Sequence, residues 1–490
     1  MPSFDPTPEQ QEIIRAAASL PPGGSLKIDA CAGSGKTATL AAIAEACHDW
    51  NFLYIAFNKA IVEESKKKFP KNVKASTVNA LAYGWWCRKF GKPDLASSIS
   101  PYDAKEILGT DDWKSVSKAS RALMDFFNSD QPSCADPGAQ KLLGAMASGR
   151  IPMTHDYYLK CFERRSRFPE LEEYDAILLD EAQDTNDVTF SIFRRLPGRK
   201  ILAGDSHQGI YGFRGAVNQL KLFQADVSLP LTVSFRCCAQ AADRANFFIA
   251  RYADDRATSR PMESASDGKP KGAIALLART NAKIIDVISN LKDADMPDFR
   301  LVRSVDEVFA AADAVQAFMH GRKAQGEYSW INKFKSIHAF ESFTSSAACP
   351  PDVYFAWKFV DEKGKELPEI RRKAERIQAN KYGSAWLSTA HSSKGLEFDE
   401  VMILPDFMPL FIQKERLDEA SGDPELTELD LMRMGSDFQQ EVNLLYTAIT
   451  RAHMALDDES GNYAEWLGLK DRKASKAAMG SVRASYEGRL

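Results

Sequence analysis

The sequence predicts an α/β protein with two lobes, each built on a parallel sheet and each carrying an inserted, mainly helical subdomain. From Leu26 onward, short continuous apolar runs alternate with segments of helical periodicity. Continuous apolar runs are typical of parallel strands whose two faces are both covered by crossover helices. The runs fall into two sets, which predicts two sheets: 26–30, 52–57, 176–180 and 200–205, then 273–278, 385–389 and 401–405.

Two long stretches interrupt this alternation. Residues 91–171 have helical periodicity without a convincing strand, so we expect a helical insertion in the first lobe. Residues 303–384 are less regular and contain aromatic clusters such as VYFAWKFV, and we expect a second insertion there. Between Lys414 and Asp430, seven acidic residues surround two basic ones, which predicts a solvated loop.

The composition is that of an ordinary globular chain, with 490 residues, 44% of them hydrophobic and 27% charged. No basic stretch leads into an apolar run at the N-terminus, and no apolar run approaches about 18 residues, so we expect neither a signal peptide nor a membrane span. The eight cysteines form no CxxC pair, which favours a reduced, intracellular setting: the cytoplasm, near the nucleoid, if the source is prokaryotic or viral. A net charge of −4 neither indicates nor excludes nucleic acid, because a local basic groove can hold phosphates.

The segment ACAGSGKT at 30–37 has the composition of a phosphate-binding loop. Its glycines let consecutive backbone N–H groups turn toward phosphate oxygens, and the Lys and Thr suit the β- and γ-phosphates and Mg²⁺. A plain glycine turn is the alternative, and Ala30 stands where many such loops have glycine. The loop follows an apolar strand and opens a helix over about 36–47, which favours nucleotide binding. The expected contacts are Ala32, Gly33, Ser34, Gly35, Lys36 and Thr37.

Two carboxylates end the apolar run of AILLDEAQD at 176–184. Asp180 is suited to hold Mg²⁺, and Glu181 is suited to polarise an attacking water. A lone Asp-Glu pair after a strand more often begins a helix, but a phosphate loop on an earlier strand favours a catalytic role. A nucleoside kinase does not need such a pair, so the sequence predicts hydrolysis.

A third segment, LAGDSHQGIYGFRGA at 202–216, follows another predicted strand. Gln208 carries an amide that could sense a γ-phosphate. Phe213 and Arg214 present an aromatic face beside a cation, which suits a stacked base and its phosphate. Taken alone, Phe213 is more simply explained as a core residue.

These segments belong to an ordered set that resembles superfamily 1 DNA helicases of the UvrD, Rep and PcrA type. The set covers residues 7–452 and comprises TPEQQEII, the phosphate loop, AFNKA, DEAQD, GDSHQGIYGFRGA, LTVSFR, STAHSSKGLEFDEV and LLYTAITRA. The stretches FLYIAFNKAIVEESKKKFP and MTHDYYLK are most similar to the branch that contains the eukaryotic F-box DNA helicase. No F-box segment precedes Gln10, so we expect no ubiquitin-ligase role.

The resemblance implies two P-loop NTPase lobes of the RecA-like type and further site residues. Gln10 would read adenine, Phe235 would stack on it, and Glu397 would contact the ribose. Arg236 and Arg451 would reach the γ-phosphate, Arg451 as the arginine finger. The residues that would line the DNA path or couple it to the ATP site are Phe57, Thr77, Phe213, Arg214 and His391. Near Thr77 the family often has His and Phe where this chain has Asn79 and Leu81.

The expected organisation is two lobes with one insertion each. The first lobe takes 1–90 and 172–222 with insertion 91–171, and the second takes 223–302 and 385–490 with a reduced insertion at 303–384. The basic tail 470–490 leaves open a DNA contact, a partner contact or a solvated end. Because one chain supplies both halves of the ATP site, a monomer suffices for hydrolysis.

The resemblance implies an enzyme that uses ATP and Mg²⁺ to move on single-stranded DNA and to unwind tailed or forked duplexes, in the 3′→5′ direction. Two alternatives stay open. One is a DNA-stimulated translocase that strips proteins such as recombinase filaments. The other is an ATP-gated DNA sensor that activates a partner, for example a nuclease. Recombination and repair are the processes that these alternatives share.

Overall fold

The structure is a computed structural model that describes residues 5–56, 58–212, 215–270, 272–346, 349–421 and 428–463. Its strands, in chain order, are β1 (Ser25–Ala30), β2 (Phe52–Ile55), β3 (Val73–Ser76), β4 (Leu95–Ala96), β5 (Met153–Thr154), β6 (Ala176–Leu179), β7 (Arg199–Gly204), β8 (Val227–Leu231), β9 (Val233–Ser234), β10 (Glu263–Ser264), β11 (Ile274–Ala278), β12 (Phe299–Leu301), β13 (Ala385–Thr389), β14 (Phe398–Ile403) and β15 (Ala452–Asp458).

The helices connect and flank these strands. They are α1 (Pro8–Ala18), α2 (Lys36–Ala46), α3 (Lys59–Lys68), α4 (Val78–Phe90), α5 (Pro101–Leu108), α6 (Trp113–Asn128), α7 (Pro137–Ala147), α8 (His155–Glu163), α9 (Asp187–Arg195), α10 (Gln219–Leu222), α11 (Ala239–Tyr252), α12 (Asn281–Asn290), α13 (Val305–Met319), α14 (Ile337–Thr344), α15 (Pro351–Lys363), α16 (Leu367–Ala379), α17 (Leu410–Ala420) and α18 (Glu428–Ile449). Short 3₁₀ turns lie at Pro169–Leu171, Ala182–Asp184, Met296–Asp298 and Gly326–Lys333. No helix in these ranges is long and apolar enough to cross a membrane.

The first large sheet has the strand order β3-β2-β6-β7-β1-β8, and its strand pairs are all parallel. Every residue of β2 and β6 is buried, as their uninterrupted apolar sequences predict. In a parallel sheet all carboxyl ends meet at one edge, so the segments that follow β1, β6 and β7 lie side by side. That edge carries the phosphate loop, the DEAQD segment and the GDSHQ segment.

The second large sheet has the order β12-β13-β11-β14-β15 and is also parallel. Two apolar clusters cover its faces. One joins it to the helices of the second insertion, and the other joins it to α11 and α18. The mixed α/β fold with two parallel sheets, as expected from the apolar runs, is therefore confirmed.

The two insertions are mainly helical, and they contact each other. The first contains α5 to α8 and a parallel pair, β4 with β5, that the sequence did not predict. The second contains α13 to α16. Trp113 of the first insertion packs on Phe343 and Phe334 of the second, with ring centroids 4.8 and 5.9 Å apart. A salt bridge between Asp103 and Lys333 joins the same two surfaces.

Two expectations about organisation were wrong. Strand β8, expected in the second lobe, pairs with β1 in the first sheet. The solvated loop expected between Lys414 and Asp430 is helical over the part that belongs to α17 and again from Glu428, where α18 begins. An ion pair between Lys414 and Asp418, four residues apart, supports α17, so the charges that indicated a loop stabilise a helix surface. The intervening residues 422–427 and the predicted basic tail lie outside the described residues.

Candidate nucleotide site

The predicted phosphate loop connects β1 to α2. Gly33 and Gly35 have φ angles of 74° and 79°, the left-handed region that glycine adopts without strain. Gly35 is the N-cap of α2, and Lys36 and Thr37 are its first two residues. The loop therefore presents a helix N-terminus, with its unpaired N–H groups and positive dipole end, at the carboxyl edge of the sheet. This is the geometry that binds a phosphate chain.

Lys36 lies between the two predicted catalytic carboxylates. Its Nζ is 3.0 Å from Asp180 Oδ1 and 2.6 Å from Glu181 Oε1. Burial opposes the charge on Lys36, but the two carboxylates outweigh it and raise the pKa of Lys36 above its ordinary value. Burial likewise opposes the charge on Glu181, yet Lys36 and Lys394 lower the pKa of Glu181 to about 2. Lys36 and Glu181 thus remain charged at neutral pH.

Tyr54 is a site residue that the sequence analysis missed. It lies on β2, directly beside β6, and its hydroxyl donates to Asp180 Oδ2 at 2.5 Å. Burial and then the Asp180 charge raise the pKa of Tyr54, so it stays a donor. The other carboxylate oxygen accepts the Glu181 N–H at 2.9 Å. Asp180 is thereby held in one orientation, with Oδ1 directed at Lys36.

Glu181 is the one non-glycine residue with positive φ in the described chain, at 54°. Such a conformation is strained for a residue with a Cβ and persists where neighbours hold it. Here Gln183 donates to Glu181 Oε2 and accepts the N–H of Asp205 through its own Oε1 at 3.1 Å. A Cβ on Gly204 would lie 2.1 Å from that Gln183 oxygen, so only glycine leaves room for the contact.

The residues predicted to read the base surround Gly35. A Cβ built on Gly35 would lie 3.0 Å from Gln10 Nε2 and 4.0 Å from Phe235 Cε2. Gln10 is buried, accepts the Thr7 N–H in a capping box, and donates to Thr39 Oγ1 at 3.1 Å. Phe235 is 44% exposed. The structure thus brings the predicted base-contacting pair to the phosphate loop.

Leu231–Cys238, here called the hinge segment, is bonded to both halves of the protein. On the first side, Leu231 O accepts the Cys31 N–H at 2.8 Å, Ser234 Oγ donates to Ala32 O at 2.6 Å, and Phe235 N–H donates to Gly33 O at 3.0 Å. On the second side, His453 Nδ1 lies 2.9 Å from Arg236 O. The backbone that carries Phe235 and Arg236, which are predicted to lie on the second lobe, is therefore also bonded to the phosphate loop.

The two predicted phosphate-reaching arginines differ in their surroundings. Arg236 Nε donates to Glu397 Oε2 at 3.1 Å, so the residue predicted to contact the ribose also orients an arginine. Arg451 is fully buried and donates to Thr447 O at 2.9 Å and Leu396 O at 3.1 Å. Burial and the nearby Arg236 lower the pKa of Arg451 to about 10, which leaves it charged at neutral pH.

Lys394 joins the second lobe to two motifs of the first, and the sequence analysis did not assign it a role. It forms a salt bridge with Asp184, donates to Gln208 O at 2.7 Å and lies 3.8 Å from Glu181 Oε2. The sequence did contain a signal for such a role, because Lys394 lies within STAHSSKG, in one of the segments that resemble the helicase family. Gln208 is itself buried, and its backbone is fixed by this contact.

The predicted DNA-contacting residues are described only in part. Phe57, Phe213 and Arg214 lie outside the described residues. Thr77 caps α4 and lines a cavity of about 410 Å³ between the carboxyl edge of the first sheet and the helical insertion. The ring centroid of His391 is 6.4 Å from that of Tyr211, which also lines this cavity. Both predicted residues thus lie near the same edge.

The donor set for a metal ion is sparse. Within the described residues no group of three or more His, Cys, Asp or Glu side chains is placed to hold an ion. The predicted ligands, Thr37 and Asp180, are one hydroxyl and one carboxylate at the carboxyl edge of the sheet. Mg²⁺ usually binds through one or two protein oxygens together with phosphates and water, so this set fits a magnesium nucleotide.

Three family matches cover the motifs of the site. Residues 158–227 match the UvrD/REP helicase N-terminal domain, and residues 366–457 match the UvrD-like helicase C-terminal domain. Residues 3–92 match the family described as type III restriction enzyme, res subunit. The first match contains Asp180 and Glu181, the second contains Arg451, and the third contains the phosphate loop.

Similar full-length proteins carry helicase names. The chain is 29% identical to F-box DNA helicase 1 of Gallus gallus, over 92% of this chain and 48% of the relative. It is 28% identical to F-box DNA helicase protein 1 of Schizosaccharomyces pombe, over 92% of this chain and 57% of the relative. It is 26% identical to ATP-dependent DNA helicase PcrA of Leuconostoc citreum, over 46% of this chain and 37% of the relative. The chain therefore spans about half the length of the first two relatives.

Proposed function

Because parts of this chain match the N- and C-terminal domains of UvrD-like helicases, we propose that it is an ATP-dependent DNA helicase that moves along single-stranded DNA. The observation that carries the proposal is the charged cluster of Lys36, Asp180 and Glu181 at the phosphate loop, together with the contact of that loop with Arg236 of the hinge segment. A Cβ on Gly33 would lie only 2.3 Å from Arg236 Cβ, so the arginine and the loop are in direct contact.

Each residue has a chemical role in this proposal. Lys36 neutralises the β- and γ-phosphates of ATP, while Thr37 and Asp180 hold Mg²⁺. Glu181 accepts a proton from the attacking water, for which its low pKa keeps it ionised. Arg236 and Arg451 stabilise the charge that develops on the transferred phosphoryl group, and Gln208 senses the γ-phosphate. Gln10, Phe235 and Glu397 bind the nucleoside.

Movement follows from the position of the site between two sheets. Closure around ATP and opening after hydrolysis would change how tightly DNA is held, provided the two forms differ in DNA affinity. Thr77, His391 and the cavity beside them support a DNA path across the carboxyl edges of the sheets. Phe57, Phe213 and Arg214 are proposed to complete that path. The direction, 3′→5′, is proposed from the family resemblance.

We divide the chain so that each lobe contains one sheet. The first lobe takes 1–90 and 172–231, because β8 lies in the first sheet, with the insertion at 91–171. The second lobe takes 232–302 and 385–490, with the insertion at 303–384. One chain then supplies both halves of the ATP site, so a monomer suffices for hydrolysis.

A strand-displacement assay tests the proposal. The wild-type chain should separate a 3′-tailed or forked duplex in the presence of ATP and Mg²⁺, and a 5′-tailed duplex much less. Lys36→Ala should lose hydrolysis and unwinding while it retains binding to single-stranded DNA. Glu181→Gln should bind ATP yet hydrolyse it at least about 100-fold more slowly, the usual effect of losing a general base.

The outcomes separate the alternatives. ATP-driven displacement of a DNA-bound protein with little duplex unwinding would identify a translocase that strips proteins. DNA-triggered activation of a partner enzyme without movement would identify a sensor. A wild-type hydrolysis rate in Lys36→Ala would remove the assigned site.

A further inference from the structure

Glu9, in the first turn of α1, is bonded to a residue far away in the sequence. Its Oε2 accepts the backbone N–H of Thr232 at 2.9 Å, and its Oε1 accepts the Thr232 hydroxyl at 2.7 Å. Both carboxylate oxygens are therefore bonded to the same residue, which holds the carboxylate in one orientation. We call this pair of hydrogen bonds the clasp. An acidic residue at a helix start is usually explained by the helix dipole alone, so no sequence pattern indicated the clasp.

Each residue of the clasp lies close in sequence to one of the two predicted base-contacting residues. Gln10 follows Glu9 directly, and its amide donates to Thr39 Oγ1 at 3.1 Å and to Ser34 O at 3.4 Å. Phe235 stands three residues after Thr232, and its N–H donates to Gly33 O at 3.0 Å. The contacts form a closed ring: helix α1, the clasp, the hinge segment, the phosphate loop and back to Gln10.

This ring sets the distance between the amide and the aromatic ring. Both project toward Gly35, at 3.0 Å for Gln10 Nε2 and 4.0 Å for Phe235 Cε2 from a Cβ built there. Without the clasp, the hinge segment would stay bonded to Gly33, and Gln10 would be located by the core packing of α1 and by its own side-chain bonds. Selective recognition of a base requires the amide and the stacked ring to be correctly placed together, and small displacements are costly.

We propose that Glu9 and Thr232 are positioning residues that determine the selectivity of the site for adenine over guanine nucleotides. This rests on the proposed ATP site but adds to it, because neither residue is among the predicted nucleotide contacts. The clasp acts through Gln10 and Phe235. It also explains why the hinge segment carries a threonine, since the hydroxyl supplies the second of the two bonds.

The experiment compares ATP with GTP in the full chain. The values kcat and KM are measured with single-stranded DNA, and Kd is measured with fluorescent ATP and GTP analogues in its absence. The variants are Glu9→Ala, Thr232→Val, which keeps only the backbone donor, and Thr232→Ser, which keeps both donors. Glu12→Ala is the matched control, because Glu12 is an exposed acid on the same helix.

The clasp predicts a loss of discrimination. Glu9→Ala and Thr232→Val should raise KM for ATP by about 5- to 10-fold and reduce the ATP-to-GTP ratio of kcat/KM, with a smaller change in kcat. Thr232→Ser should keep the wild-type ATP-to-GTP ratio of kcat/KM. The double variant Glu9→Ala/Thr232→Val should lose no more discrimination than Glu9→Ala alone, because both substitutions act on the same clasp.

Two results would contradict the role in nucleotide selectivity that is proposed for the clasp. One is an unchanged ATP-to-GTP ratio in Glu9→Ala. The other is a fall in kcat that follows the folded fraction at a constant ratio, which would mean a structural role only. A wild-type chain that binds nucleotide without hydrolysing it would contradict the proposed function, while the Kd ratios would still decide on the clasp. A wild-type chain that binds neither nucleotide would overturn both.

Discussion

Two separate constraints, one on the backbone and one on space, require glycine at position 33 of the phosphate loop. Its φ of 74° is unfavourable for any residue with a Cβ, and its neighbour Arg236 leaves no space for one. Only the first constraint applies to Gly23, because its φ is 80° and a Cβ there would have no atom within 4 Å. The two glycines therefore allow backbone strain to be separated from steric contact.

Gly33→Ala should weaken ATP binding by at least about tenfold, because the new methyl group displaces Arg236 and the loop together. Gly23→Ala should cost about 1–2 kcal/mol of stability from the strained φ and leave ATP affinity near that of wild type. Nucleotide titration and thermal melting of both variants check this. Wild-type affinity in Gly33→Ala would show that Arg236 can move aside freely.

Asp205 provides a prediction about pH. It is buried after β7, and it accepts the His207 N–H at 3.0 Å and the Tyr446 hydroxyl at 3.2 Å. Burial raises the pKa of Asp205 to about 6, with Asp29 adding to the rise and His207 opposing it. Since the unfolded value is 3.8, the folded chain binds the proton more tightly between these values. The stabilisation from Asp205 is therefore full below about pH 4 and is lost as pH rises through about 6.

Asp205→Asn should remove this dependence, because its amide does not ionise. The melting temperature of the variant relative to wild type should rise as pH increases from about 4 to about 7, and the difference should level off above that. Thermal melting of both proteins in matched buffers measures it. Parallel pH profiles would show that Asp205 ionises in the folded chain as easily as in the unfolded one.

At the scale of elements, the sequence predicted the interior of each sheet and missed its edges. The seven predicted strands are β1, β2, β6 and β7 of the first sheet and β11, β13 and β14 of the second, which all have a neighbour on each side. The strands of these two sheets that it missed, β3, β8, β12 and β15, lie at the four edges. Edge strands β3 and β8 are partly exposed, and β8 contains Pro230, so their sequences lack the continuous apolar signal.

The site residues divide in the same way into those that the sequence predicted and those that it missed. Residues that directly follow a predicted strand, such as Asp180 and Glu181, could be located because carboxyl ends meet at one edge. Tyr54 could not, since its role depends on the register that sets it beside β6. Glu9 and Lys394 depend on contacts between segments far apart in the chain, which no local pattern contains.

The contact between the two insertions gives a prediction at this scale. Trp113 is the first residue of α6, and its ring packs on Phe343 and Phe334. Trp113→Ala should remove aromatic contacts worth about 0.5–1.5 kcal/mol per pair, so α14 should open more often. Hydrogen exchange in Ile337–Thr344 should then become up to about tenfold faster. Met124→Ala, an exposed change on the same helix, is the control. Equal exchange in both variants would mean that the insertions are held together elsewhere.

For the whole molecule, the net charge of −4 opposes long-range attraction to a polyanion. If the chain binds DNA as proposed, the affinity must come from local contacts, and each phosphate neutralised releases counterions. If about five phosphates of single-stranded DNA are held, the slope of log K against log salt should be near −3.5, from about −0.7 per contact. Fluorescence anisotropy of a labelled oligonucleotide over a range of salt concentrations measures it. A slope near zero would leave no phosphate groove for a motor to use.

The two insertions have a consequence for how such a protein can change over evolutionary time. The first lies between β3 and β6 and the second between β12 and β13, and both pairs belong to parallel sheets. Parallel strands cannot be joined by a tight turn, so a connection of about a dozen residues or more is required at each point. Each insertion is therefore an enlarged form of a link that the sheet needs in any case. A change in the length of either link would therefore leave the strand order, and with it the carboxyl edge that carries the phosphate loop, as it is.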